Sequence, residues 1–163
     1  MTRTLVLTVD RDNDLGVKTG IRGPVVGRRQ VMAAALKLGI ADPEESDTNA
    51  ILGALSQHDN LAENNAEEED VEIAILTGDE KVGIRSDRAV AAQLEEVVAA
   101  FQPDKAILVT DGAEDESVLP IIQSQVRYLM IRETTRKIQI DSKVILTQPT
   151  DSWLLEQITL ELI

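Results

Sequence analysis

The chain contains no cysteine. Disulfides, thiolate zinc sites and a Cys nucleophile are therefore excluded. It contains one histidine, His58, so neither a His-rich metal site nor a catalytic His pair is available, and His58 reads as structural. Aromatic residues make up 2% of the sequence, one Phe, one Tyr and one Trp. The stacking platforms used by single-strand nucleic-acid modules are thus missing. Positive charge is scarce: 16 Lys and Arg stand against 29 Asp and Glu, for a formal net charge of −13 and an isoelectric point of about 4.4. Such a surface repels DNA, RNA and anionic membrane. A halophilic source accounts for the acidity and is preferred to a cation-binding surface, because surface acidity needs no function. No apolar run has the length of a bilayer-spanning helix, and "MTRTLVLTVD" carries no signal-peptide core. The expectation is a soluble cytoplasmic domain.

What the chain does have is a large aliphatic fraction, with 43% apolar residues in 163. That is enough for one core, and a single domain over residues 1–163 is expected. Leu5–Val9, Val71–Leu76, Ala106–Val109 and Val126–Ile131 are short, apolar and rich in branched residues, as buried strands are. Between them lie helical patterns. Val25–Leu38 has helical spacing, with Gly39 placed to end it. "ADPEESDTNAILGALSQ" starts another helix, with Ser46 or Asp47 as its cap. Arg88–Phe101 is amphipathic and stops before Pro103, and "DGAEDESVLPIIQSQ" is a loop running into a helix. "NLAENNAEEED" reads as an exposed acidic loop. Lys137–Leu146 reads as one or two antiparallel strands, and Asp151–Leu162 as a closing helix. Alternating strands and helices predict an α/β, Rossmann-like three-layer sandwich with a mostly parallel sheet.

Carboxylates stand at the ends of the first three of these strands. The first strand runs into Asp10, with Asp12 and Asp14 following; the second ends "LTGD" at Asp79; the third ends "LVTD" at Asp111, with Glu114 and Asp115 just beyond. In a parallel sheet those ends share the edge where open α/β folds bind ligands. Carboxylates brought together need neutralising, and a hard divalent cation such as Mg²⁺ does so. Asp10, Asp12, Asp79, Asp111 and Asp115 are therefore the candidate metal ligands, with Thr77, Thr110 and Ser46 as further polar ligands. Each Asp alone is equally suited to a turn or a helix cap.

Two sharper motifs fail. "DRDNDLGVKTGI" begins like a calcium loop, but Gly16 is one place late and Ile21 stands where Glu is required. The Asp-x-Asp after a first strand is similar to haloacid-dehalogenase phosphatases, but no Lys falls where that family places its phosphate ligand. A second segment, "KTGIRGPVVGRR", is the densest cationic stretch in this acidic chain. It lacks the ending of a Walker A loop. Glycines, cations and a helix start suit an anion, so Lys18, Arg22 and Gly23 are the candidate phosphate ligands. Arginines pairing surface acids around a glycine turn explain it equally.

Acids and cations on one edge would hold a phosphorylated small molecule with Mg²⁺, and hydrolysis would use water and a carboxylate base. The alternative is a non-catalytic ligand-sensing or protein-interaction domain. On either reading, an acidic α/β domain with an aliphatic surface is a candidate homodimer.

The strings "LVLTVDRDNDLGVKTGIRGPVVGR", "ADPEESDTNAI", "TGDEKVGIRSDRAVAAQLEEV" and "ILVTDGAEDESVLPIIQSQV" resemble the archaeal family called domain of unknown function 373, whose members are described as predicted membrane proteins. The resemblance covers about residues 4 to 130. It implies a soluble N-terminal domain joined, in longer relatives, to hydrophobic spans that this sequence does not contain, and a place at the cytoplasmic face of the membrane. It implies no established activity and supplies no catalytic residue. For the sensing or interaction alternative, it implies a domain normally linked to a membrane region.

Overall fold

In the computed structural model, the backbone is described for residues 1–112, 115–134 and 140–146, and side chains for all of these except 115, 116 and 140–146. The strands are β1 (Thr2–Asp10), β2 (Val25–Val26), β3 (Glu69–Thr77), β4 (Lys105–Thr110), β5 (Tyr128–Thr134) and β6 (Ile140–Leu146). The helices are α1 (Asp14–Thr19), α2 (Arg28–Ala41), α3 (Ser46–Asn64), α4 (Ile84–Phe101) and α5 (Asp115–Gln123).

Along each central strand, successive side chains enter opposite cores, as a period of two requires. Val6, Ile73, Ile75, Ile107, Val109 and Met130 pack with α2 and α3 on one face. Leu5, Leu7, Ala74, Leu76, Leu108 and Leu129 pack with α4 and α5 on the other. Both faces are covered, which is why these strands are continuously apolar rather than alternating. The α/β three-layer architecture expected from the sequence is present.

The sheet order is β2-β3-β1-β4-β5-β6. β3, β1, β4 and β5 run parallel, while β2 and β6 add antiparallel edges, β6 on β5 being the antiparallel pairing expected near the C-terminus. From β1 the chain moves to β3 on one side, then jumps back over β1 to β4. Right-handed crossovers can reverse direction only by changing face. Accordingly α2 and α3 lie on one face, and α4 and α5 on the other. The reversal falls between β1 and β4, and the carboxyl ends of strands at such a point are the usual ligand position in open α/β sheets.

Several element boundaries differ from the sequence reading. Val25 and Val26 are not helical; they pair with Ile75 and Ala74 as an edge strand, a setting that suits β-branched residues. Gly27, at φ 96°, turns the chain into α2, a conformation open to glycine. Helix α2 runs past Gly39 to Ala41. Residues expected as an acidic loop complete α3 through Asn64, and Glu69 and Asp70 already belong to β3. The connection after Asp10 contains the short helix α1, and α4 begins four residues earlier than its amphipathic pattern suggested. The closing helix expected at Asp151–Leu162 lies outside the described residues.

Candidate functional site

The site grows from the end of β1. Asp10 is 2% exposed. Its carboxylate accepts the N–H groups of Asp14 at 3.0 Å and Leu15 at 2.8 Å, so it caps α1 from below. Asn13, at φ 60°, accepts the Gly16 N–H at 3.2 Å and completes the cap. These contacts satisfy amides that a helix start leaves unpaired. They also fold the segment back, so that Asp12 and Asp14 return toward Asp10.

The fourth member comes from elsewhere. Helix α3 starts at the same edge, and Asp47 in its first turn meets the other three. One carboxylate oxygen from each of Asp10, Asp12, Asp14 and Asp47 lies within 4.8 Å of the rest. The neighbouring Ser46 hydroxyl donates to Asp111 at 2.9 Å and ties the start of α3 to the end of β4. On the other flank, the Gly78 N–H donates to the Asp10 carbonyl at 2.8 Å and Asp79 N–H to the Arg11 carbonyl at 3.2 Å. A Cβ on Gly78 would lie 1.9 Å from that Arg11 oxygen, so the close approach of the two strand ends requires glycine.

Crowding shows in the electrostatics, with Lys18, 3.6 Å from Asp14, as a partial counter-charge. Burial, then the charge of Asp10, pushes Asp47 up to about 9. Burial, then the charge of Asp12, pushes Asp14 up to about 6. Burial raises Asp10 despite the amide donors that oppose it, and burial with the Asp10 carboxyl raises Asp12. Near neutral pH the group therefore retains a proton at Asp47, where a cation would relieve the same repulsion.

The candidates named from sequence divide. Asp10, Asp12 and Asp14 are in the cluster. Asp111 sits beside it through Ser46. Asp79 is outside the cluster: it accepts the Lys81 N–H at 2.9 Å and lies 3.7 Å from the Arg85 guanidinium. Asp115 begins α5, and its side chain is outside the described residues, as is Glu114. Asp47 was legible only as a helix cap; the cap of α3 is in fact the Glu45 side chain, which accepts the Asp47 N–H at 3.3 Å. What would have found it is the position of that helix start beside the end of β4, a fact of topology.

The cationic segment is largely engaged within the fold. Lys18 Nζ lies 2.9 Å from Asp42 and 3.6 Å from Asp14, and hydrogen-bonds Glu45. Arg28 makes a two-pronged contact with Asp59, at 2.7 and 2.9 Å. Gly23 donates its N–H to Thr77 Oγ1 at 3.0 Å, and a Cβ there would meet the Gln93 and Thr77 side chains. Gln93 in turn pairs with the Thr77 backbone, donating at 2.6 Å and accepting at 2.9 Å, and so satisfies the strand where β2 has ended. Thr110 Oγ1 accepts the Gly112 N–H at 3.1 Å. Arg22 is exposed beside this segment.

The model of the family described as "Domain of unknown function (DUF373)" matches residues 3–136. The chain belongs to the DUF373 family. An uncharacterised protein of Archaeoglobus fulgidus is 50% identical over 127 residues, covering 78% of this chain and 36% of that protein. An uncharacterised protein of Methanocaldococcus jannaschii is 41% identical over 124 residues, covering 74% of this chain and 32% of that protein. This DUF373 chain therefore spans about a third of the length of these relatives. No solved structure matches it. Among the described residues of the DUF373 domain, no helix is long and apolar enough to cross a membrane.

Proposed function

We propose that the domain binds a hard divalent cation at the carboxyl edge of its sheet, through Asp10, Asp12, Asp14 and Asp47. The observation that carries the reading is the meeting of these carboxylates, from two distant segments, beside the reversal of strand order. The donor set fits: it is all oxygen, as Mg²⁺ and Ca²⁺ prefer. The size fits too. Opposite ligands lie about 4.2 Å apart around Mg²⁺ and about 5 Å around Ca²⁺, and the cluster's oxygens lie within 4.8 Å of one another. When bound, the ion would neutralise the cluster and draw in a phosphoryl oxygen.

Arg22 is exposed and precedes Gly23, which bonds to Thr77 at the end of β3, so its side chain is open to a phosphorylated small molecule; Lys18 and Gly23 are occupied by Asp42, Glu45 and Thr77. In a phosphohydrolase, a cluster carboxylate would accept a proton from the attacking water. One observation favours ligand sensing instead. Lys18, the cation beside the cluster, is committed to Asp14, Asp42 and Glu45 and so is held away from stabilising a phosphoryl transition state.

Calorimetric titration with Mg²⁺, Mn²⁺ and Ca²⁺ tests the cation reading. Saturable binding to the natural chain, lost in Asp12→Asn, is the expected result. Equal heats for the two proteins would overturn it. Phosphate release from a panel of phosphomonoesters then separates the hydrolase from the sensor.

A further inference from the structure

We propose that Lys18 is a positioning residue that latches the two halves of the cation site together, a role resting on the cation reading above. The halves are distant in sequence: Asp10, Asp12 and Asp14 on the β1–α1 turn, and Asp47 at the start of α3. A side-chain hydrogen bond joins Asp10 to Asp47 directly, and a tether between the two segments would keep the whole set in register once that proton is lost to a bound cation.

Lys18 provides it. From the last turn of α1, its ammonium lies 3.6 Å from Asp14, 2.9 Å from Asp42 at the end of α2, and in hydrogen-bond contact with Glu45 before α3. The other oxygen of Glu45 accepts the Asp47 N–H at 3.3 Å. A continuous path thus runs from α1 through Lys18 and Glu45 to the backbone that carries Asp47. The Asp42 end is itself anchored, its N–H donating to Leu38 at 2.9 Å and its carboxylate accepting the Glu44 N–H at 3.1 Å. An ammonium has three protons to donate, and three carboxylates surround this one, Asp14 from its own helix and Asp42 and Glu45 from the α2–α3 connection. Any single exposed pair contributes little, but one side chain ordered once serves all three.

Two effects compete when Lys18 is removed. Coulomb attraction alone predicts tighter cation binding, because a positive charge beside the cluster is lost. Loss of the tether predicts weaker binding, because Glu45 and Asp47 can move away. The charge is exposed and screened, whereas a site of several carboxylates tolerates little displacement of any one. The tether dominates.

The experiment compares the natural chain, Lys18→Met and Lys18→Arg. Amide hydrogen exchange at residues 43–48, without added metal, reads the latch. Acceleration by about tenfold in Lys18→Met, reversed in Lys18→Arg, is expected; unchanged exchange overturns the latch. Mn²⁺ titration reads its service to the site. Affinity lowered by about fivefold or more in Lys18→Met, at unchanged thermal midpoint, supports it; unchanged or tighter binding overturns it. If the natural chain binds no Mn²⁺, the cation reading and the positioning role fall together, while the exchange result still decides whether the latch exists.

Discussion

The two edges of the sheet treat a buried carboxylate in opposite ways. At the amino edge Glu69 is 7% exposed, and at the carboxyl edge Asp10 is 2% exposed. Glu69 has its counter-charge: Lys105 Nζ lies 3.2 Å from one oxygen, Thr4 donates to the same oxygen, and Asn65 donates to the other at 3.3 Å. Asp10 instead faces three further carboxylates. Its partners are backbone amides, which supply dipoles but no charge. The amino edge is closed by internal compensation; the carboxyl edge is electrostatically incomplete. An incomplete cluster of this kind is costly to fold, and burial is what raises its carboxyl groups. That contrast separates an edge whose carboxylate is neutralised within the fold from one whose carboxylates crowd together; on the cation reading proposed above, a ligand completes the second.

The largest expected effect comes from making the amino edge resemble the other. Lys105→Met leaves Glu69 buried without its cation, and loss of one partner of a buried pair costs about 3 to 5 kcal/mol. Urea unfolding at neutral pH measures it, and a cost below about 1 kcal/mol would show that the compensation is weaker than the geometry indicates.

A second change makes the carboxyl edge less crowded. Asp47 is raised to about 9 from its ordinary 3.8, so above the ordinary value the folded chain keeps a proton that the unfolded chain has released. Its stabilising contribution is complete below the ordinary value and is lost as pH rises through the folded one. Asp14, raised to about 6, acts in the same direction over a lower window. The thermal midpoint of the natural chain should therefore fall between about pH 5 and pH 9, and fall less steeply in Asp47→Asn. Identical slopes in the two proteins would remove Asp47 as the source.

The smallest effect belongs to Arg22. Arg22→Ala should change stability by less than about 0.5 kcal/mol, since the side chain is exposed. If a phosphorylated ligand binds, its affinity should drop in this variant while that of Mn²⁺ alone is retained.

The layers were legible because they depend on local pattern. Val6 and Leu7 enter opposite cores simply by being adjacent in a strand. The edge strand at Val25 and Val26 was not, since two residues carry no periodicity and their state is decided by the neighbouring backbone of Ile75 and Ala74. The acids divided on the same principle. Asp10, Asp12 and Asp14 belong to one short turn, so their meeting is local. Asp79 follows β3 as expected, yet turns to Lys81 and Arg85, partners in its own loop. Asp47 joins from a helix, and its role as a cap passes to Glu45. Lys18, read as an anion ligand, is surrounded by Asp14 of its own helix and by Asp42 and Glu45 of the α2–α3 connection, which is far along the chain.

By itself, the sequence determined an aliphatic α/β sandwich with acids gathered at strand ends, because burial period and turn chemistry are written in neighbouring residues. Only the tertiary structure decided which acids meet. That depends on the order β3-β1-β4 and on the placement of α3 beneath it, and charge pairing over tens of residues follows from proximity in space, which no local pattern encodes.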